Sequence, residues 1–207
     1  MAQVKQIKTI SGSFEAKYKE KGSTFISKSF RINSLDEAEF SLSLVKKEYY
    51  DANHHCFAFR LLNESFKYSD DGEPNGTAGI RILNAIDHFN LTNVLIVVTR
   101  YFGGTKLGVG PLGKAYYKSA YQSINLSKII TLKAYKKILI TSELSLTNHI
   151  YKILAKHNSI IKDSTFDTKA NIECLTDEKN IKIITNKLNE ISKGKIRIDQ
   201  SNEVYFI

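Results

Sequence analysis

Apolar and polar residues alternate from Ile7 to Ile32 on either side of Lys21-Gly22, a pattern that predicts two antiparallel strands joined at a tight turn. Ser34, with Glu37 three residues later, has the form of a capping box. It opens a helix to Tyr50 that puts Ala38, Leu42 and Val45 on one face. His55 to Leu62 alternates as a strand, with Cys56, Ala58 and Arg60 on one face and Phe57, Phe59 and Leu61 on the other. Thr77 is placed to cap a helix through Ile80, Ile82, Leu83 and Ile86. Asn93 to Tyr101 contains the run VLIVV and reads as a central strand buried on both faces. Pro111 suits the first turn of a further helix through Ala115, Tyr116, Ala120 and Ile124.

The texture changes near Leu132 to Lys137. Ten of the eleven glycines and both prolines lie before it, which predicts domains at 1–133 and 134–207. The second part reads as strand Lys137 to Ser142, helix Ser145 to His157, strands Ile160 to Phe166 and Ala170 to Leu175, helix Asp177 to Ser192 capped by Thr176 or Asp177, and a closing strand within Lys195 to Ile207. That βαββαβ order is ferredoxin-like, and the chain as a whole is predicted to be α+β.

Composition narrows the class. The 207 residues are 42% hydrophobic and 25% charged, enough apolar material for a packed core and against global disorder. The formal net charge of +9 favours polyanionic partners such as RNA, the ribosome or acidic protein surfaces, although lysine-rich surfaces also serve solubility alone. The excess is spread, 18 − 12 = +6 before Ala134 and 12 − 9 = +3 from Ala134 on. Cys56 and Cys174 make neither a disulfide framework nor a zinc signature. The polar start MAQVKQIKTISGSFEAKYKEKG does not read as a signal peptide, and no apolar run approaches membrane-spanning length, so a cytoplasmic location and no membrane partner are expected.

Two segments carry chemistry. In SDDGEPNGTAGIRIL, Asp70, Asp71 and Glu73 crowd beside Pro74, Gly76, Thr77 and Gly79, and free amides at Gly76 to Ala78 open a helix that would attract an anion. Three roles suit the carboxylates: capping, divalent metal binding, or pairing with Arg and Lys from elsewhere. In TRYFGGTKLGVGPLGKAY, Arg100-Tyr101-Phe102 ends the buried strand and gives way to Gly103, Gly104, Gly108 and Gly110. Glycines can turn backbone amides onto an anion; Arg100, Lys106 and Lys114 supply cations; Tyr101 and Phe102 offer stacking faces. Tight strand–helix packing is the alternative use of these glycines. Gly108 to Lys114 matches G-x-x-x-x-G-K, but Ala115 stands where a P-loop needs Ser or Thr and Pro111 removes an amide, so a P-loop is rejected. The cluster Asn53-His54-His55-Cys56 lacks a second ligand pair at zinc spacing and reads as a buried thiol beside a loop histidine.

HHCFAF, DDGEPNGTAGIRIL and VVTRYFGGTKLGVGPLGKAY, in this order and spacing across Asn53 to Tyr117, resemble the signature of the IMPACT/YigZ family. The resemblance implies an N-terminal domain of the ribosomal protein S5 domain 2-like fold. For bacterial members it implies a C-terminal ferredoxin-like domain resembling the fifth domain of elongation factor G. It also implies a translational setting. Eukaryotic relatives regulate translation by blocking activation of an initiation-factor kinase, but their extra N-terminal RWD domain has no counterpart here and their partners are not carried over. The bacterial members are regarded as nucleic-acid or ribosome binders. The positions carried over are His55, Asp70, Asp71, Glu73, Thr77, Arg100, Tyr101, Lys106 and Lys114. After K-L-G the family usually reads G-x-G-G-L-V-R-A-Y, whereas this chain has Pro111, Gly113 and Lys114; lysine keeps the charge but not bidentate phosphate recognition.

The leading expectation is therefore a translation-associated module contacting RNA or the ribosome through the glycine-rich basic segment, with Gly76 and Thr77 alongside. No cofactor, resident metal or catalytic residue is assigned. The alternative is a hydrolase of a small anionic or peptide substrate working through Asp70, Asp71, Glu73 and the basic loop. A third reading is protein interaction through the second domain's sheet.

Overall fold

The computed structural model describes residues 4–62 and 65–207. By internal packing the chain divides into one unit of Lys8–Thr131 and another of Leu132–Ile207 joined by the segment up to Ile7.

In chain order the first part contains β1 (Gln6–Ile10), β2 (Ser13–Glu20), β3 (Ser23–Arg31), α1 (Leu35–Glu48), β4 (His54–Arg60), β5 (Phe66–Ser69), α2 (Gly79–His88), β6 (Val94–Tyr101) and α3 (Val109–Leu126). The Lys8–Thr131 unit is built on an antiparallel sheet of order β2-β3-β6-β4-β5. Val94 to Val98 of β6 have no exposed surface. Such a strand needs cover on both sides, and it gets it. Val94, Ile96 and Val98 pack with Ile82, Ile86, Leu112 and Ile124 of α2 and α3, while Leu95 and Val97 pack with Ala38 and Val45 of α1. Each fully buried Val, Leu or Ile contributes about 1.5–3 kcal/mol. The alternation read in β4 is realised, with Cys56 and Ala58 facing the first of these cores and Phe57, Phe59 and Leu61 the second.

Ser34 caps α1 by accepting the Glu37 amide at 3.2 Å. The Glu37 carboxylate reaches back one residue further than in an ordinary capping box, to the Asn33 amide at 2.8 Å. The hairpin turning at Lys21-Gly22 is present, β2 pairing antiparallel with β3, but it does not extend back to Ile7. Ser11-Gly12, with Gly12 at φ +91°, breaks its first arm, and β1 joins the other unit's sheet. Edge strand β5 went unforeseen. Thr77 does not cap α2; its hydroxyl donates to the Pro74 carbonyl at 2.5 Å, and the cap comes from further upstream.

The second unit comprises β7 (Ile129–Ser142), a short 3-10 turn, α4 (Thr147–Lys156), β8 (Ile160–Phe166), β9 (Ala170–Thr176), α5 (Glu178–Ser192) and β10 (Arg197–Phe206). The antiparallel order β10-β7-β9-β8 is the ferredoxin-like one read from the sequence, and β1 adds a fifth strand. Ile138, Ile140, Ile172 and Cys174 pack against Ile150, Leu154, Ile184 and Leu188 of the two helices. Asp177 is the α5 cap, accepting the Lys179 amide at 3.2 Å. No helix among the described residues is long and apolar enough to cross a membrane.

Candidate functional site

Inside the Lys8–Thr131 unit the loop leading into α2 reaches the end of β6 and α3, the two elements that flank the glycine-rich segment. β6 carries Arg100 to its end with the side chain still buried, 5% exposed. A guanidinium in that position needs an anion, because an unpaired buried charge is severely penalised. Glu73 supplies it: Arg100 Nη1 donates to Glu73 Oε1 at 2.6 Å. The same oxygen accepts the Tyr116 hydroxyl at 2.7 Å, and His54 Nε2 lies 4.0 Å from it. Burial pushes the Tyr116 hydroxyl far up, so it stays a neutral donor. Arg100 Nη2 donates to Ser23 Oγ at 3.3 Å, and the guanidinium carbon lies over the Phe25 and Phe102 rings, 5.4 and 5.5 Å from their centres. Arg100 Nε has no hydrogen-bond partner among the described residues.

The two aspartates turn elsewhere. Asp70 Oδ1 accepts the Ala78 and Gly79 amides at 2.9 and 2.8 Å, and Oδ2 accepts Gly76 at 2.9 Å. Of the amides expected to receive an external anion, Gly76 and Ala78 are thus held by the protein's own carboxylate, which caps α2 from nine residues before it, and Thr77 by the Pro74 carbonyl. Asp71, at φ +43°, accepts the His55 amide at 2.7 Å and lies 3.6 Å from Lys46 Nζ. His55 is buried, its pKa lowered by desolvation, with Nε2 3.0 Å from the Tyr49 carbonyl. The Cys56 thiol donates to the Asp70 carbonyl at 2.9 Å, and burial raises its pKa far above the ordinary thiol value. Of the three roles open to the carboxylates, capping holds for Asp70 and pairing with Arg for Glu73. Among the described residues no group of three or more His, Cys, Asp and Glu side chains is arranged to hold a metal. An acid–base role for the trio finds no support in this arrangement.

The glycine-rich segment is anchored at both ends and open between. Gly103 presses on the β2–β3 turn so closely that a Cβ there would lie 1.9 Å from the Gly22 carbonyl carbon, and its amide donates to Ser23 Oγ at 3.2 Å. Leu107 and Leu112 are buried in the core. Gly104 and Gly108 take φ +81° and +80°, and Gly108 caps α3 without a side-chain acceptor for the first-turn amides. Phe102, Lys106, Val109 and Lys114 are exposed, and neither lysine forms an ion pair among the described residues. Tyr101 is half-buried, donating to Asp51 at 2.7 Å, a bond that pushes its pKa up to about 12. Sequence reasoning missed Ser23, Tyr116 and His54 as members of this network. Tyr116 had a signal, because a tyrosine on an otherwise apolar helix face needs a buried partner for its hydroxyl.

The family model described as the Impact N-terminal domain matches residues 21–124. The chain is 29% identical to the IMPACT family member YvyE of Bacillus subtilis over 88% of this chain and 85% of that protein. It is 35% identical to the IMPACT family member YigZ of Escherichia coli over 50% of this chain and 53% of that one. A solved structure titled as a hypothetical protein superposes with a TM-score of 0.71 over 95% of this chain and 97% of its own, at 23% identity, a likeness of fold.

Proposed function

The chain belongs to the IMPACT family, and from that premise we propose that it is an RNA-binding factor of the translation apparatus that holds phosphates on the surface of the Phe102–Lys114 segment. The observation that supports this is a division of labour. The acids of the neighbouring loop are engaged by other partners, Glu73 by Arg100, Asp70 by backbone amides and Asp71 by the His55 amide and Lys46, and none of them forms an ion pair with Lys106 or Lys114. Phe102 stands beside them, 46% exposed. The frame beneath is fastened from several sides, because Glu73 ties the loop before α2 to Arg100 of β6 and Tyr116 of α3, and Arg100 reaches Ser23 at the start of β3. Pre-positioned cations and a ring suit a binding surface that tracks a backbone. The net charge of +9 and the translational setting implied by the family resemblance point the same way.

RNA affinity measured against salt tests the reading. The logarithm of the affinity should fall linearly with the logarithm of salt concentration, and Lys106→Glu with Lys114→Glu should weaken binding and reduce the slope by about 1.4 for a single strand. RNA affinity unchanged in that double variant would remove the basis of the assignment.

A further inference from the structure

We infer that the seam between α2 and α3 is a stacking track for the bases of single-stranded RNA, continuing from the lysine-bearing loop. The inference rests on the RNA-binding reading above and adds which form of RNA is taken and where its bases go.

The two helices lie side by side, with Arg81 of α2 across Gly113 of α3, and His88 against Tyr117 and Tyr121. A Cβ at Gly113 would lie 3.2 Å from Arg81 Nε, so the glycine is what lets the guanidinium rest on α3, one residue from Lys114. Cations therefore stand at one end of the seam. At the other end four rings are in mutual contact: Tyr121 lies 5.0 Å from Phe89, 5.7 Å from His88 and 6.0 Å from Tyr117, centre to centre. About 10 Å separates the two ends along α2, at 1.5 Å per residue from Arg81 to His88. His88 is exposed, and Phe89, Tyr117 and Tyr121 are half-buried. Neither tyrosine hydroxyl makes a hydrogen bond among the described residues, unlike that of the buried Tyr116.

Charge complementarity commits the occupant. The eighteen residues of α3 contain no Asp or Glu, and the one acid of α2, Asp87, is paired with Arg60. A seam of this kind repels acidic ligands nowhere and offers π faces to bases. A duplex keeps its base faces stacked on each other, so only an unpaired strand can use them.

The test uses the full chain with a short oligouridylate and with the same oligonucleotide annealed to its complement. The wild type should bind the single strand more tightly than the duplex. Tyr117→Leu with Tyr121→Leu keeps apolar packing and removes stacking, and should cost single-strand affinity at least about fivefold with duplex affinity unchanged. Ultraviolet crosslinking of the wild type to oligouridylate gives a readout that needs no variant, with the adduct expected on Tyr117 or Tyr121. Adducts only elsewhere, or equal affinity for both forms, overturn the stacking track alone if Lys106→Glu with Lys114→Glu still weakens binding. Failure of the wild type to bind either form overturns the RNA-binding reading as well.

Discussion

Replacing Glu73 by Ala removes the only carboxylate bonded to Arg100 among the described residues, and both side chains are almost wholly buried, at 4% exposure for Glu73 and 7% for Arg100. The guanidinium would keep Ser23 Oγ at 3.3 Å and two ring faces, but no counter-charge. Leaving one member of a buried pair uncompensated costs about 3–5 kcal/mol. Losing the acceptor of the Tyr116 hydroxyl belongs within that range rather than on top of it, since both bonds end on one oxygen. Glu73→Gln keeps an oxygen for both donors and removes only the charge, so about half the loss is expected. Glu73→Leu combined with Arg100→Met replaces the pair by apolar groups and should recover most of the stability. Urea unfolding followed by far-ultraviolet circular dichroism reads these differences, with a fall of about 10 °C in the melting temperature of Glu73→Ala as the thermal counterpart. A loss below about 1 kcal/mol for Glu73→Ala, or a double variant as unstable as the sum of the singles, would refute the claim that this ion pair fastens the loop before α2 to the end of β6.

Gly103→Ala should destabilise more than Gly104→Ala in thermal melts, because the first sets a Cβ against the Gly22 backbone whereas the second meets open space and carries only the left-handed strain of about 1–2 kcal/mol. Asp70→Ala frees three amides at the start of α2 and should cost about 2 kcal/mol, with much faster hydrogen exchange at Gly76, Ala78 and Gly79 than in the wild type. His55 has a folded pKa below its ordinary 6.5, so the unfolded chain takes up its proton first as pH falls. Its contribution to stability is complete above 6.5 and is lost as pH drops through the folded value, and His55→Gln should flatten that part of the stability–pH curve. Cys56, and Cys174 with a pKa pushed up to about 12 by burial, should react with a thiol reagent only at the rate of unfolding.

Elements fixed by local pattern were legible in the sequence. The Ser34 cap, the two-faced burial of VLIVV and the second unit's strand order follow from residues close in the chain or from strict alternation. Features set by distant partners were not. β5 is four residues long on a sheet edge, and its alternation, Phe66-Lys67-Tyr68-Ser69, spans only two apolar positions that both stay exposed, too short a pattern to mark a strand. The cap of α2 comes from Asp70, across a loop whose path only the fold decides. Thr77 offered the expected residue type at the expected place, and the carboxylate with three amides within reach won. Opposite charges in two loops announced that Arg100 would find an acid, but not which of three it would take.

The sheet of the second unit draws strands from both ends of the intervening domain: β1 begins before Lys8 and runs into it, β7 starts at Ile129 near its end, and β8 to β10 follow. During synthesis the Lys8–Thr131 segment can collapse as soon as it clears the ribosome, since all five of its strands are already present. The first strand must wait for its neighbour in the sheet, its backbone amides bonded to water, until β7 is made. The order of assembly is thereby written into the connectivity, inner domain first and outer sheet last.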